Sequence, residues 1–195
     1  ITDGYNLTVG GNVTIGYGSD TGLKKLDATH NGARTSTITV GGNWLNYGTG
    51  TAPSQFIADD STVIFTATDA GNTITSGTTN SPFNNLTLNG AGGTWILQDA
   101  LDVNGNFRLQ AGTFNANTKN QNYAGNVQID SGTTYTKGGT LTFDGTTAAT
   151  YTDSTATPQN IGIVSINKTD TVTPATNNKL TLASSMTVDT MIIDG

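Results

Sequence analysis

The 195-residue chain predicts an all-β fold, a parallel β-helix (solenoid) with coils of about 20 residues. Three observations lead there. The composition disfavours helix, one short strand-and-corner phrase keeps returning, and that phrase places its apolar residues on a single side.

Charged residues make up 11% of the chain, against about 25% in an ordinary soluble domain, yet hydrophobic residues reach only 34%. Small neutral residues fill the gap: Thr is roughly a fifth of the chain and there are 25 Gly. All 14 acidic residues are Asp, and the other helix builders Lys, Arg and Leu are scarce beside β-branched Thr, Val and Ile. Disorder is the competing reading of so much Thr, Asn and Gly. It fits poorly, because aromatics at 7% and an alternation of Val, Ile and Leu run the whole length.

A net charge of −6, with no basic cluster beyond Lys24-Lys25, argues against nucleic-acid binding. Zero Cys rules out disulfides and thiolate metal sites. No apolar run approaches the length that inserts into a membrane. The chain opens on Ile1 and closes on "MIIDG", and is read as a piece of a longer chain or polymer.

The repeated phrase is "LTVGGNVTI" at 7–15, returning as "ITVGGNW" at 38–44, "LDVNGNFRL" at 101–109 and "YAGNVQI" at 123–129. Its corner glycines fall at Gly11, Gly42, Gly105 and Gly125, separated by 31, 63 and 20 residues. These gaps suggest whole numbers of coils, one of them carrying a longer loop. A second register of 78 residues relates "TVIF" at 62–65 to "TLTF" at 140–143 and "NNLTLN" at 84–89 to "GIVSIN" at 162–167. In the first phrase Leu7, Val9, Val13 and Ile15 are apolar, so both half-strands turn the same side inward across the Gly-Gly-Asn bend. A chain bending in this way wraps a continuous interior, and nine or ten coils would make a rod roughly 40 Å long. The Asn residues at the bends are expected to stack in ladders, each amide bonding to the amide of the next coil. "NG" at 31–32, 89–90 and 104–105 is a hairpin signal and keeps an antiparallel β-sandwich as the alternative. Residues 1–195 read as a single solenoid domain, with 16–36 as an inserted loop.

The phrases "VGGNW", "FNNLTLNG", "LDVNGNFRLQAGTFNA" and "GTLTFDGT" resemble the degenerate β-strand repeats of bacterial surface proteins, the haemagglutinin-type and autotransporter adhesins. The resemblance covers roughly residues 5–15 and 37–195. It implies a right-handed parallel β-helix, an extracellular or cell-surface location, and a scaffold with no catalytic residues to transfer.

The expected role is therefore that of an extracellular structural repeat protein, forming a rigid rod, stalk or filament by end-to-end stacking of coils. The partner would be a further copy, head to tail, or more of the same chain. The assembly contacts would fall on Leu7, Val9, Val13 and Ile15 at one end and Met186, Val188, Ile192 and Ile193 at the other. The alternative is an adhesin module that binds a glycan or host surface through loops such as 16–36.

Other sites weigh less. Asp102, Asn104 and Asn106 match the first ligands of a calcium loop, but Phe107 and Thr113 stand where Gly and a bidentate acid belong. No cofactor is expected; single Ca²⁺ ions at Asp-rich loops such as Asp59-Asp60 have no motif behind them. "HNGAR" at 30–34 and Asp59-Asp60 lack the order of a polysaccharide hydrolase, and the chain reads as no enzyme. Thr-x-Thr pairs, the mark of ice-binding solenoids, occur at uneven spacing and predict no single flat rank. Trp44, Trp95, Phe65, Phe83, Phe107 and Phe143 are expected in the core rather than under sugars.

Overall fold

A computed structural model describes residues 5–16, 24–29, 35–47, 55–77, 81–169 and 179–194. Among them every named strand pairs in parallel, and the strands wind through eight coils with three faces per coil. The first coil runs β1 (Leu7–Val9), β2 (Val13–Ile15) and β3 (Lys25–Asp27). The second runs β4 (Thr37–Val40), β5 (Trp44–Asn46) and β6 (Gln55–Ile57), and the third β7 (Thr62–Phe65), β8 (Asn72–Thr75) and a single bridge at Phe83. In the fourth and fifth coils β9 (Asn85–Leu97) and β11 (Phe107–Asn115) bend through a corner and serve two faces each, followed by β10 (Leu101–Val103) and β12 (Gln121–Tyr123). The sixth holds β13 (Val127–Ile129), β14 (Thr134–Thr136) and β15 (Thr140–Phe143). The last two hold β16 (Ala149–Asp153) with β17 (Ile163–Ile166), then β18 (Leu180–Leu182) with β19 (Thr190–Ile193). An Asn160–Thr187 bridge joins these last two coils between their outer strands.

Parallel pairing throughout removes the antiparallel sandwich. The Asn89-Gly90 pair lies inside β9 and Asn104-Gly105 joins β10 to β11, so neither makes a hairpin; residues 31–32 lie outside the described residues. The first face is the longest ladder, β1-β4-β7-β9-β11-β13-β16-β18. Its inward rank reads Leu7, Ile38, Val63, Leu86, Phe107, Val127, Tyr151 and then Leu182, beside a second rank through Val9, Val40, Phe65, Leu88, Leu109 and Ile129. Stacked corners are 21 and 20 residues apart at Asn85–Asn106–Asn126 but 31 apart at Asn12–Asn43. Longer coils toward the ends explain why eight are found where nine or ten were expected. Eight rungs at a spacing of ~4.8 Å give a ladder roughly 34 Å long.

The structure sorts the repeated phrases differently from the sequence. "VGGN" turns the chain from the first face to the second, and Gly42 sits over Gly11. "NGN" and "AGN" turn it from the third face back to the first, and Gly125 sits over Gly105. The step from Gly42 to Gly105 is therefore no whole number of coils. The 78-residue register fails likewise, since β7 belongs to the first face and β15 to the third. The inserted-loop stretch 16–36 contributes β3, which pairs with β6; its residues 17–23 and 30–34 lie outside the described residues.

The core is continuous. Trp44, Trp95, Phe65, Phe83, Phe107, Phe114 and Phe143 are fully buried, and Trp44 meets Phe56 and Phe83 at ring-centre distances of 5.0 and 5.2 Å. Further along, the interior turns polar. Tyr135 Oη donates to Gln121 Oε1 at 2.6 Å, and Tyr151 Oη lies 3.5 Å from the inward carboxylate of Asp153. Asp153 also accepts from the backbone N–H groups of Thr155 and Gln159, tying down the turn that follows β16.

Corners stack through asparagine, though not by the amide-to-amide pattern expected. Each Oδ1 accepts the backbone N–H of the next coil: Asn12 from Asn43, Asn43 from Thr73, Asn85 from Asn106, Asn106 from Asn126, and Asn126 from Thr150, at 2.6 to 3.0 Å. Only Asn43 Nδ2 to Asn12 Oδ1 adds an amide-to-amide bond among these.

The bend inside β9 and β11 leaves no space for a side chain. At Gly112 (φ 89°) a Cβ would stand 2.5 Å from the Gly90 carbonyl oxygen, whereas at Gly132 (φ 75°) it would meet nothing within 4 Å. Both positions carry the left-handed strain of about 1–2 kcal/mol for an L-residue. Gly112→Ala is therefore expected to cost about 1–3 kcal/mol more than Gly132→Ala in urea unfolding, through displacement of the stacked corner. Equal costs would remove the close approach as the reason for glycine there.

Candidate functional site

The residues singled out at the two ends lie on the first and last coils. At the first end Leu7, Val9, Val13 and Ile15, joined by Leu26, line an open recess of about 510 Å³ with Lys24 and Lys25 beside it. The walls belong to β1, β2 and β3, one from each face, so the recess lies at this end of the interior, where Val13 and Ile15 are themselves buried. At the other end Met186 and Val188 pack half-buried against the core. Met191 and Ile193 stand at inward positions opposite Val164 and Ile166 but are 42% and 73% exposed, and Leu182 is 52% exposed. Ile192 pairs with Ser165 at an outward position, so it lies on the outer surface of the third face rather than on the end. Lys137 anchors this coil by an ion pair of 2.5 Å with Asp189, whose carboxyl is held below its ordinary range by the Lys137 and Asn160 hydrogen bonds.

The calcium-like run dissolves into the scaffold. Asp102 stands on the outward side of β10, and Asn106 Oδ1 is taken by the Asn126 N–H at 3.0 Å. Asp59-Asp60 form a turn after β6, with Asp59 at φ 50°. Among the described residues no group of three or more His, Cys or acidic residues is arranged to hold a metal ion. His30 and Arg34 lie outside the described residues, and Arg108 is paired with Asp130 at 2.7 Å.

Uneven spacing does not keep the threonines apart. On the outer side of the first face Thr8, Thr39, Ile64, Thr87, Arg108, Gln128 and Thr152 fall into one rank, because the corners absorb the differences in coil length. Ile64, Arg108 and Gln128 interrupt it, so the rank is not the uniform Thr surface that would match a water lattice. The six aromatics weighed as sugar platforms are all in the core.

Several acids are strained by burial. Asp99, Asp102 and Asp144 have pKa values raised above 3.8, chiefly by loss of solvent; the Asp144 charge adds to the shift at Asp102. Lys168, 4% exposed, donates from Nζ to the carbonyls of Ala124 (2.9 Å) and Asp144 on successive coils, and burial lowers its pKa.

Comparison of the chain with protein-family models, with curated protein sequences and with solved structures finds no match to any of them. The fold places the protein among parallel β-solenoids built of stacked coils. No helix among the described residues is long and apolar enough to cross a membrane.

A raised folded-state pKa means that the fold favours the protonated acid. The contribution of Asp99, Asp102 and Asp144 is therefore full below the unfolded carboxyl range and lost as pH rises through their folded values. Thermal unfolding followed by circular dichroism should show Tm increasing as pH falls from 7 toward about 4, the unfolded carboxyl range. Asp102→Asn should raise Tm at pH 7 and flatten that dependence. An unchanged slope in the variant would overturn the assignment to Asp102.

Proposed function

We propose that this chain is a structural segment of a bacterial extracellular protein, a β-solenoid rod extended end to end by further coils. One observation carries the reading: among the described residues the inward apolar rank of the last coil stays exposed at Leu182, Met191 and Ile193, while Leu7, Val9, Val13 and Ile15 of the first coil line a recess of about 510 Å³. An unpaired parallel rung presents free backbone groups above an apolar floor, which is the surface on which another coil forms. The chain order of the faces is the same in the first and last coils, β1-β2-β3 and β18-Thr187-β19, so one end can follow the other without a change of direction. The added coil is that of another copy or of the same chain continued. The non-enzymatic, cell-surface character of the reading rests on the resemblance to adhesin repeats and on a composition of Thr, Asn and Asp without Cys.

The test is electron microscopy and light scattering of the purified chain at neutral pH. Rods longer than one solenoid are expected, and the double substitution Met191→Asp with Ile193→Asp should return them to single short rods while circular dichroism stays unchanged. Ile192→Asp, at the neighbouring outward position, should leave assembly intact. Rods that persist in the double variant would refute the end contact.

A further inference from the structure

We propose that the outer side of the first face carries a binding groove for an uncharged polysaccharide chain lying along the rod axis. The groove encloses about 420 Å³ between two ranks of polar side chains. One wall is Thr62, Asn85, Asn106 and Asn126; the other is Thr87, Arg108 and Gln128, two residues further along the same strands. Four rungs at ~4.8 Å give it a length of roughly 14 Å, enough for a run of linked rings rather than one sugar. The volume falls within the range of small-molecule sites.

The chemistry of the walls selects the ligand. Asn85 and Asn106 each use Oδ1 to accept the N–H of the next asparagine, and Asn126 uses its own for Thr150. That bond fixes each amide plane and leaves its Nδ2 as an unspent donor, repeated at three successive rungs. Arg108 gives Nε and Nη2 to Asp130 Oδ2, and Gln128 Nε2 reaches Asp130 Oδ1 at 2.7 Å, which leaves the Gln128 carbonyl oxygen free to accept. Asp130 also cancels the one positive charge, so the groove is neutral. It offers amide donors, hydroxyls and a carbonyl at regular intervals, which suits a polymer of repeating hydroxyl and ether oxygens.

Other ligands fit less well. A peptide cannot add a strand here, because the backbone of these rungs is already paired within the sheet. Nucleic acid is opposed by the lack of net positive charge, and a lipid by the ranks of amide and hydroxyl groups that make both walls.

Substitution of Asn by Asp tests this, since it keeps the Oδ1 on which the corner depends while it replaces the Nδ2 donor with a charged acceptor oxygen. Binding of cellohexaose, xylohexaose and chitohexaose would be measured by titration calorimetry, with polygalacturonate as the acidic comparison. The proposal expects at least one neutral hexaose to bind, Asn106→Asp to weaken it by about tenfold or more, and Asn120→Asp to leave it unchanged. Asn120 makes the same kind of corner bond, to the Thr140 N–H, outside the groove. Binding of none of the neutral chains, binding of polygalacturonate alone, or equal losses in both variants would each overturn it.

Discussion

No single coil of this protein can bury its own apolar residues; the structure depends on one coil lying in register on the next. Parallel backbone pairing supplies most of that bond, and the asparagine Oδ1 groups extend it around the bends, where strand pairing lapses. Between Asn85 and Thr150 three such bonds run in series across four coils. The apolar core then follows, because a fixed register places Leu86, Phe107 and Val127 in one column and Leu88, Leu109 and Ile129 in the next. The same register makes the outer ranks, and hence the groove, continuous.

The strand-and-corner unit was legible in the sequence because it depends on local chemistry. Leu7, Val9, Val13 and Ile15 flank a Gly-Gly-Asn bend, and residues at the matching positions of the second coil, Ile38, Val40 and Trp44, are fully buried. The aromatics read as core are core for the same reason. What the sequence could not reveal was which face a unit occupies. A bend from the first face to the second and a bend from the third to the first ask the same thing of the backbone, so Gly42 and Gly105 look equivalent although they belong to different corners. Thr8, Thr39 and Thr152 were scattered in sequence but aligned in space, because the loops that differ in length lie between the faces. The groove had no sequence signature either. Only the stacking of coils shows which asparagines line it and that each is held by its Oδ1 with Nδ2 left over.

The interior changes character along its length. Trp and Phe fill the early coils, and Tyr, Gln and Asp enter the later ones, where Tyr135 donates its hydroxyl to Gln121 and its backbone N–H to Gln159. The inward Asp153 sits in a column otherwise held by Val, Phe, Leu and Ile. Its oxygens gather the N–H groups of a turn on the way from β16 to β17 in the same coil, so a polar residue in the core substitutes for the strand pairing that this part of the second face lacks.

The stacked glycine corner also limits how such a protein can change over evolutionary time. Gly112 lies against the carbonyl oxygens of Gly90 and Gly93, so each bend is shaped by the bend below it rather than by its own residues alone. Duplicating or deleting one strand with its corner would rotate every later unit onto the wrong face and set side chains against carbonyls. Duplicating or deleting a complete coil would leave each column intact. Lineages carrying this fold are thus expected to lengthen and shorten in steps of whole coils, with smaller insertions confined to loops between faces, such as the one that separates β16 from β17.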